Sequence, residues 1–255
     1  MKETSLDDLW NSAKAPDARF DPASLAGLPE PVLRYLQHAI APGTPLASAV
    51  RLRMHGEIKL KRWYAFSAEQ VICWSRGFIW QAAVRMGALT IRSSDRYVDG
   101  SGAMRWKLFG LAPLVTASGP DITRSAAGRV NLECAWVPSV LCGEDVCWSA
   151  SDALHIRASF KAHGEMADVT FGIDATGAAK TLSAPRWGNP EAAAYHYATF
   201  GGFADNEATF GGYTVPTSFR AGWYFGSDRF EPEGEFFRAA IDSAEYKQAG
   251  GGTAV

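Results

Sequence analysis

The chain lacks any run close to the ~20 apolar residues that a membrane-spanning helix requires, so no membrane span is expected. Cysteine is scarce: Cys73, Cys134, Cys142 and Cys147 are the only four in 255 residues. Only Cys142 and Cys147 are close, and no further ligands stand at matching zinc spacing, so no metal is expected. The opening residues, Met1-Lys2-Glu3-Thr4-Ser5-Leu6-Asp7-Asp8, hold no apolar run and read as no signal peptide. Reduced thiols and a cytoplasmic location are therefore expected. The net charge of -2 gives no whole-molecule pull toward nucleic acid. Also missing are Gly-x-Ser-x-Gly, a P-loop, a dinucleotide fingerprint after a strand, and His-Glu-x-x-His. Nucleophilic triads, nucleotide chemistry and zinc hydrolysis lose their usual signatures, and no cofactor is expected.

What is present is alternation. Val50, Leu52, Met54, Ile58 and Leu60 point one way, while Arg51, Arg53, His55, Glu57, Lys59 and Lys61 point the other. A period of two over so many residues makes a strand with one dry face and one wet face. The pattern returns at Leu154–Phe160, Ala167–Ile173 and Val215–Phe225. Hydrophobic residues are 47% of the chain and charged residues 20%, enough for a sizeable core and too few charges for disorder. Basic residues exceed acidic ones by 15 to 10 over residues 1–110, and acidic exceed basic by 17 to 10 thereafter. The basic excess falls largely on the wet face of the 50–62 strand, where solvation explains it.

Helical stretches are few. Ser5–Ala13 places Leu6, Leu9 and Trp10 on one side. Pro29-Glu30-Pro31 opens a helix over 32–40. A second follows Pro120, with Asp121 as N-cap, Val130, Cys134, Val137 and Leu141 at helical spacing, and Pro138 limiting it. Roughly nine to eleven strands are predicted around these two helices, with 78–92 as one long strand broken at Gly87. Residues 1–28 read as an N-terminal arm, 29–248 as a single β-rich domain, and the Gly-rich 249–255 as a frayed tail.

So large an antiparallel sheet must curl, close or be covered. The expected architecture is mainly β: a large curved antiparallel sheet, a half-barrel or open barrel, with one or two helices on its concave side. Such a shape leaves room for an apolar cavity between sheet and plug.

Several segments occur together: Leu28-Pro29-Glu30-Pro31-Val32-Leu33-Arg34-Tyr35-Leu36, Gly56–Leu60 with Trp63 and Phe66, Asp99–Gly102, and Ala117–Asp121. Arg129, Glu133, Trp136, Pro138 and Leu141 continue the series, and Pro216, Gly222-Trp223 and Glu235–Arg238 close it. This set resembles a bacterial protein family known only as a domain of unknown function, over roughly residues 28–246. At fold level it is also similar to the lipoprotein-carrier half-barrels, which cradle acyl chains; fold alone does not imply function.

Candidate chemistry is sparse. Arg129 and Glu133 lie four apart on the second helix, on one stripe with Trp136. An ordinary surface pair of this kind is worth ~0.3–0.5 kcal/mol. The functional reading makes Glu133 an acid or base and Arg129 an anion binder. Arg186, Arg220 and Arg238 each interrupt an apolar or aromatic run. They read either as solvated residues covering apolar surface or as a clamp for a carboxylate or phosphate head group. Asp99, in a turn, and His196, between Tyr195 and Tyr197, would matter only if they converged on the same cavity. Trp80, Trp136 and Trp223 could pack the core or line a pocket. Two functions follow: binding of an apolar small molecule or acyl chain in the cavity, or a cofactor-free isomerase, cyclase or hydrolase acting there. The sequence names no ligand and no oligomeric state.

Overall fold

The computed structural model describes residues 3–110 and 112–248, so the tail at 249–255 lies outside the described residues. The α-helices are α1 (Leu6–Ser12), α2 (Glu30–Ala39) and α3 (Pro120–Leu132). A first meander comprises β1 (Ala47–Lys59), β2 (Trp63–Cys73), β3 (Gly77–Met86), β4 (Leu89–Val98), β5 (Ser101–Leu108) and β6 (Ala112–Ser118). After α3 come β7 (Cys147–Ala150), β8 (His155–Ala162), β9 (Glu165–Ile173), β10 (Ala179–Gly188) and β11 (His196–Ala204). The hairpin β12 (Glu207–Phe210) and β13 (Tyr213–Pro216) stands apart, and β14 (Ser218–Trp223) and β15 (Glu235–Gln248) complete the set. Of the described residues 53% are strand and 20% helix, so strand dominates as the alternation predicts.

Thirteen strands form one open antiparallel sheet, in the order β6-β5-β4-β3-β2-β1-β15-β14-β11-β10-β9-β8-β7. Each half follows chain order, because short hairpin turns favour neighbours in sequence. The halves meet where β1 pairs with β15, from Ala47 opposite Gln248 to Ile58 opposite Phe237. The curl follows from α3, which packs against both β5 and β10. Those strands have seven others between them in the sheet. Laid flat they would stand roughly 38 Å apart at about 4.8 Å per strand, yet a helix is only about 10 Å across. The sheet therefore wraps around α3, and its concave face carries the core.

That face holds two apolar clusters. Val50, Leu52, Met54, Phe78 and Trp80 meet Ala126, Ala127 and Val130 of α3. Tyr35 and Leu36 of α2 meet Ile156, Phe160, Val169 and Phe171 of the second half. The convex face is not uniformly wet: Ala49, Val71, Cys73, Ile79 and Val98 form an apolar patch there under Leu9 and Trp10 of α1. This corrects the expectation that one face alone is dry. Arg51 pairs with Asp7 of that helix at 2.6 Å and lies over the Trp10 ring.

Four boundaries also differ from expectation. The alternation over 215–225 is not one strand: β13 ends at Pro216 and β14 starts at Ser218 in the other sheet. The segment 78–92 is two strands, not one, because Gly87 at φ 64 turns the chain into a hairpin. The helix after Pro120 ends at Leu132 and tightens into 3₁₀ turns at Glu133–Trp136 and Pro138–Cys142. Pro138 disfavours helical backbone at Val137, which sits at φ -132 and ψ 60. Asp121 is not the N-cap: Gly119 holds that position without a side-chain bond. Asp121 lies in the first turn, where a carboxylate suits the helix dipole, and accepts from Trp187 Nε1 at 2.9 Å.

Candidate functional site

Between the concave face and α3 lies a cavity of about 490 Å³, bordered by β1 to β5, β9 to β11, β14, β15 and α3. Its size falls within the range of roughly 300–1,000 Å³ usual for small-molecule sites. Most of the wall is apolar and aromatic: Met54, Trp80, Met104, Trp106, Trp136, Phe171, Phe200, Phe219, Trp223 and Phe237 all contribute. Period-two pleating aims these side chains inward from their strands. Trp136 comes instead from the 3₁₀ turn, fixed by its Nε1 donating to Pro216 O at 3.1 Å and by packing on Phe219.

Arg129 projects from the last turn of α3 into this wall. Its Nη1 donates to Asp95 Oδ2 at 2.5 Å, its Nε to Glu133 Oε1 at 3.0 Å, and its Nη2 to Gln70 Oε1 at 3.3 Å. The guanidinium also lies 4.4 Å from the Phe78 ring centroid. Burial works against its charge, but the Asp95 and Glu133 carboxylates outweigh that and raise its pKa. Glu133 is 6% exposed, so this is no solvated i,i+4 pair. One guanidinium serves two carboxylates from two elements, which ties α3 to β4. Around it, Gln70 Nε2, Trp80 Nε1 and Ser93 Oγ are buried without a hydrogen-bond partner.

Arg186, from β10, faces α3 from the other wall. Its Nε donates to Ser125 O at 3.1 Å and its Nη2 reaches Ser125 Oγ at 3.4 Å. The guanidinium packs against the Phe200 and Trp223 rings, which touch each other edge to face, at 4.7 and 5.2 Å from their centroids. Gly128 makes room for it: a Cβ there would stand 3.2 Å from Arg186 Cγ. Burial, then the like charge of Arg129, bring its pKa down to about 10, against the more distant pull of Asp95 and Glu133. At neutral pH it keeps its charge. Arg220 also borders the cavity, but Glu231 and Glu235 each approach its Nη1 to 3.3 Å. Glu235, buried at 3% exposure, also accepts from Arg238 Nε at 2.6 Å.

Asp99 and His196 do not join this group. Asp99 sits in the β4–β5 turn at φ 50, with its carboxylate held by Arg76. That ion pair lowers its pKa and places it in a separate shallow cleft with Trp74 and His163. His196 is exposed at the start of β11, its Nδ1 3.0 Å from Ala194 O and its Nε2 3.6 Å from Glu191. Both left the site because turn and strand-end positions carry side chains out to solvent. Asp95, Gln70, Ser93 and Ser125 border the cavity without having been singled out from the sequence. A signal existed: period two puts Ser93 and Asp95 on the same side of β4 as the buried Ile91 and Tyr97, and polar residues on a dry face need a reason.

The fold and site together define a class: an open, curled antiparallel sheet forming an apolar cavity against one helix. Within that class the chain belongs to DUF6920, a family of unknown function, whose match spans residues 26–246. Among solved structures it is similar to a domain assigned to outer membrane lipoprotein sorting from Vibrio parahaemolyticus. That likeness has 10% identity and a TM-score of 0.36, covering 79% of this chain and 86% of that one. It is also similar to a LolA superfamily protein from Nitrosomonas europaea, at 9% identity and a TM-score of 0.34, covering 86% and 92%. No curated protein matches.

Proposed function

We propose that the protein binds an apolar small molecule or acyl chain in the cavity between the curled sheet and α3. The observation that carries this reading is the cavity itself: about 490 Å³ of space between sheet and helix, open to solvent on one side and walled mostly by apolar and aromatic side chains. A concave, mostly apolar space of this size is the usual form of a small-molecule site, which supports a role as a container. The aromatic lining favours a greasy or flat occupant, since each ring offers wide apolar contact at little entropic cost. The alternative, a cofactor-free enzyme in the same cavity, draws on Glu133 and Arg129 facing it. Asp95 and Glu133 are both engaged by the one guanidinium, an arrangement that suits holding the wall together better than passing protons.

Native mass spectrometry of freshly purified protein should show a mass excess that solvent extraction removes. A polarity-sensitive dye should then bind the extracted protein saturably and be displaced by long-chain compounds. No mass excess together with no saturable dye binding would sink the reading.

A further inference from the structure

Arg186 differs from the other arginines bordering the cavity in what neutralises it. Arg129 holds Asp95 and Glu133, and Arg220 holds Glu231 and Glu235. Among the described residues no carboxylate lies within ion-pair distance of Arg186. Its polar contacts are one carbonyl and one hydroxyl, both of Ser125. The Phe200 and Trp223 rings lie against it, which suits a cation but satisfies none of its N–H groups. Guanidinium carries five donors in a fixed fork, and two of these contacts leave Nη1 unused. The carboxylates on Arg129 balance its charge only at a distance, so the two N–H groups of Nη1 and the second of Nη2 remain free for a direct partner. A charge so deep in an apolar wall is costly without a direct partner.

Resting on the binding reading above, we propose that the cavity's ligand is a single-chain amphiphile whose anionic head group is bound by Arg186. Arginine's planar fork matches the oxygens of a carboxylate or phosphate, which accept two parallel hydrogen bonds. The chain then runs from Arg186 past Phe200 and Trp223 into the aromatic part of the cavity. Gly128 and Ser125 of α3 fix the fork's position from behind, one by leaving space and the other by accepting from it.

Three probes separate the possibilities: hexadecanoic acid, hexadecyl phosphate and hexadecan-1-ol, which share a chain and differ in the head group. Each is titrated into delipidated protein, followed by tryptophan fluorescence, since Trp223 flanks the fork, and by calorimetry. At least one acid should bind about tenfold or more tighter than the alcohol, the loss expected for one charge-assisted hydrogen bond. Which acid binds tighter distinguishes a carboxylate from a phosphate source. In Arg186→Met this preference should vanish while binding of the alcohol persists. Equal binding of acids and alcohol by the unmodified protein overturns the inference and leaves the binding reading intact. A preference for acids that survives in Arg186→Met also overturns it, since another group then reads the head. Binding of none of the three also overturns the inference, and the mass and dye measurements then decide separately whether the binding reading stands. The comparison among probes needs no variant, so it stands even if Arg186→Met does not fold.

Discussion

Arg129 is the residue on which most of the polar wall depends. Replacing it with Met leaves Asp95 and Glu133 facing each other in the wall without a counter-charge. Removing one partner of a buried ion pair costs about 3–5 kcal/mol, and that is the loss expected in chemical denaturation for Arg129→Met. Adding Asp95→Asn and Glu133→Gln to the same chain should recover a good part of it, because uncharged groups are cheaper to bury. A single-variant loss under ~0.5 kcal/mol would instead describe a solvated bridge. The four cysteines, all free, make a second residue-scale case. Burial pushes the Cys142 thiol up to about 12 and the Cys134 thiol higher still, while Cys147 is exposed. One thiol should react quickly with a thiolate-seeking reagent in the native protein, and four after denaturation. His163 gives a pH handle. Burial lowers its pKa, partly countered by the hydrogen bond its ring donates to the Trp74 backbone carbonyl. The native state then binds fewer protons than the unfolded chain near the ordinary histidine value of about 6.5. Its contribution is present above that pH and is lost as pH falls through and below it. The position has φ 54, which Asn tolerates. Denaturation midpoints at pH 8 and pH 5 should differ less in His163→Asn than in the unmodified protein.

At the scale of elements, the position of α3 decides whether there is a cavity at all. Gly102, at the start of β5, lets the helix sit directly on the sheet: a Cβ there would lie 2.6 Å from Thr123 Cα and 3.0 Å from Ile122 O. Both are backbone atoms of the first helical turn, so no rotamer change relieves the clash. Gly102→Ala should cost about 1–3 kcal/mol, as overpacking does, and should weaken binding of any cavity ligand by tilting the helix. Equilibrium unfolding and a displacement titration on the same variant check both. This contact was invisible in the sequence, where Asp99-Gly100-Ser101-Gly102 reads only as a turn. The strands were legible because burial on one face imposes period two, and α2 was legible because its stripe and its prolines agree. The extent of α3 was not, since Val130, Cys134, Val137 and Leu141 keep helical spacing through a segment whose backbone has already tightened into 3₁₀ turns. Arg129, Glu133 and Arg186 could be singled out as charges in apolar surroundings. What the sequence withheld was their partners: Asp95 and Ser125 arrive from elements far away along the chain, and pairing at that separation leaves no local mark.

Across the whole molecule, the sheet is two meanders joined along one line, where β1 meets β15. Removing β15 should therefore not trim an edge but cut the sheet in half, and a chain ending at 234 should show no cooperative unfolding transition. The same join sets a timetable. During synthesis β1 is complete at residue 59, but its partner is complete only at residue 248. At about 5–20 residues per second, the bonding edge of β1 stays open for roughly 10–40 s, and the face of Leu52 and Met54 beside it stays uncovered until α3 is complete at residue 132. An open edge beside an apolar face is a template for pairing with other chains. For this fold the hazardous period is the wait before the last strand arrives, and its length is fixed by the order of the strands.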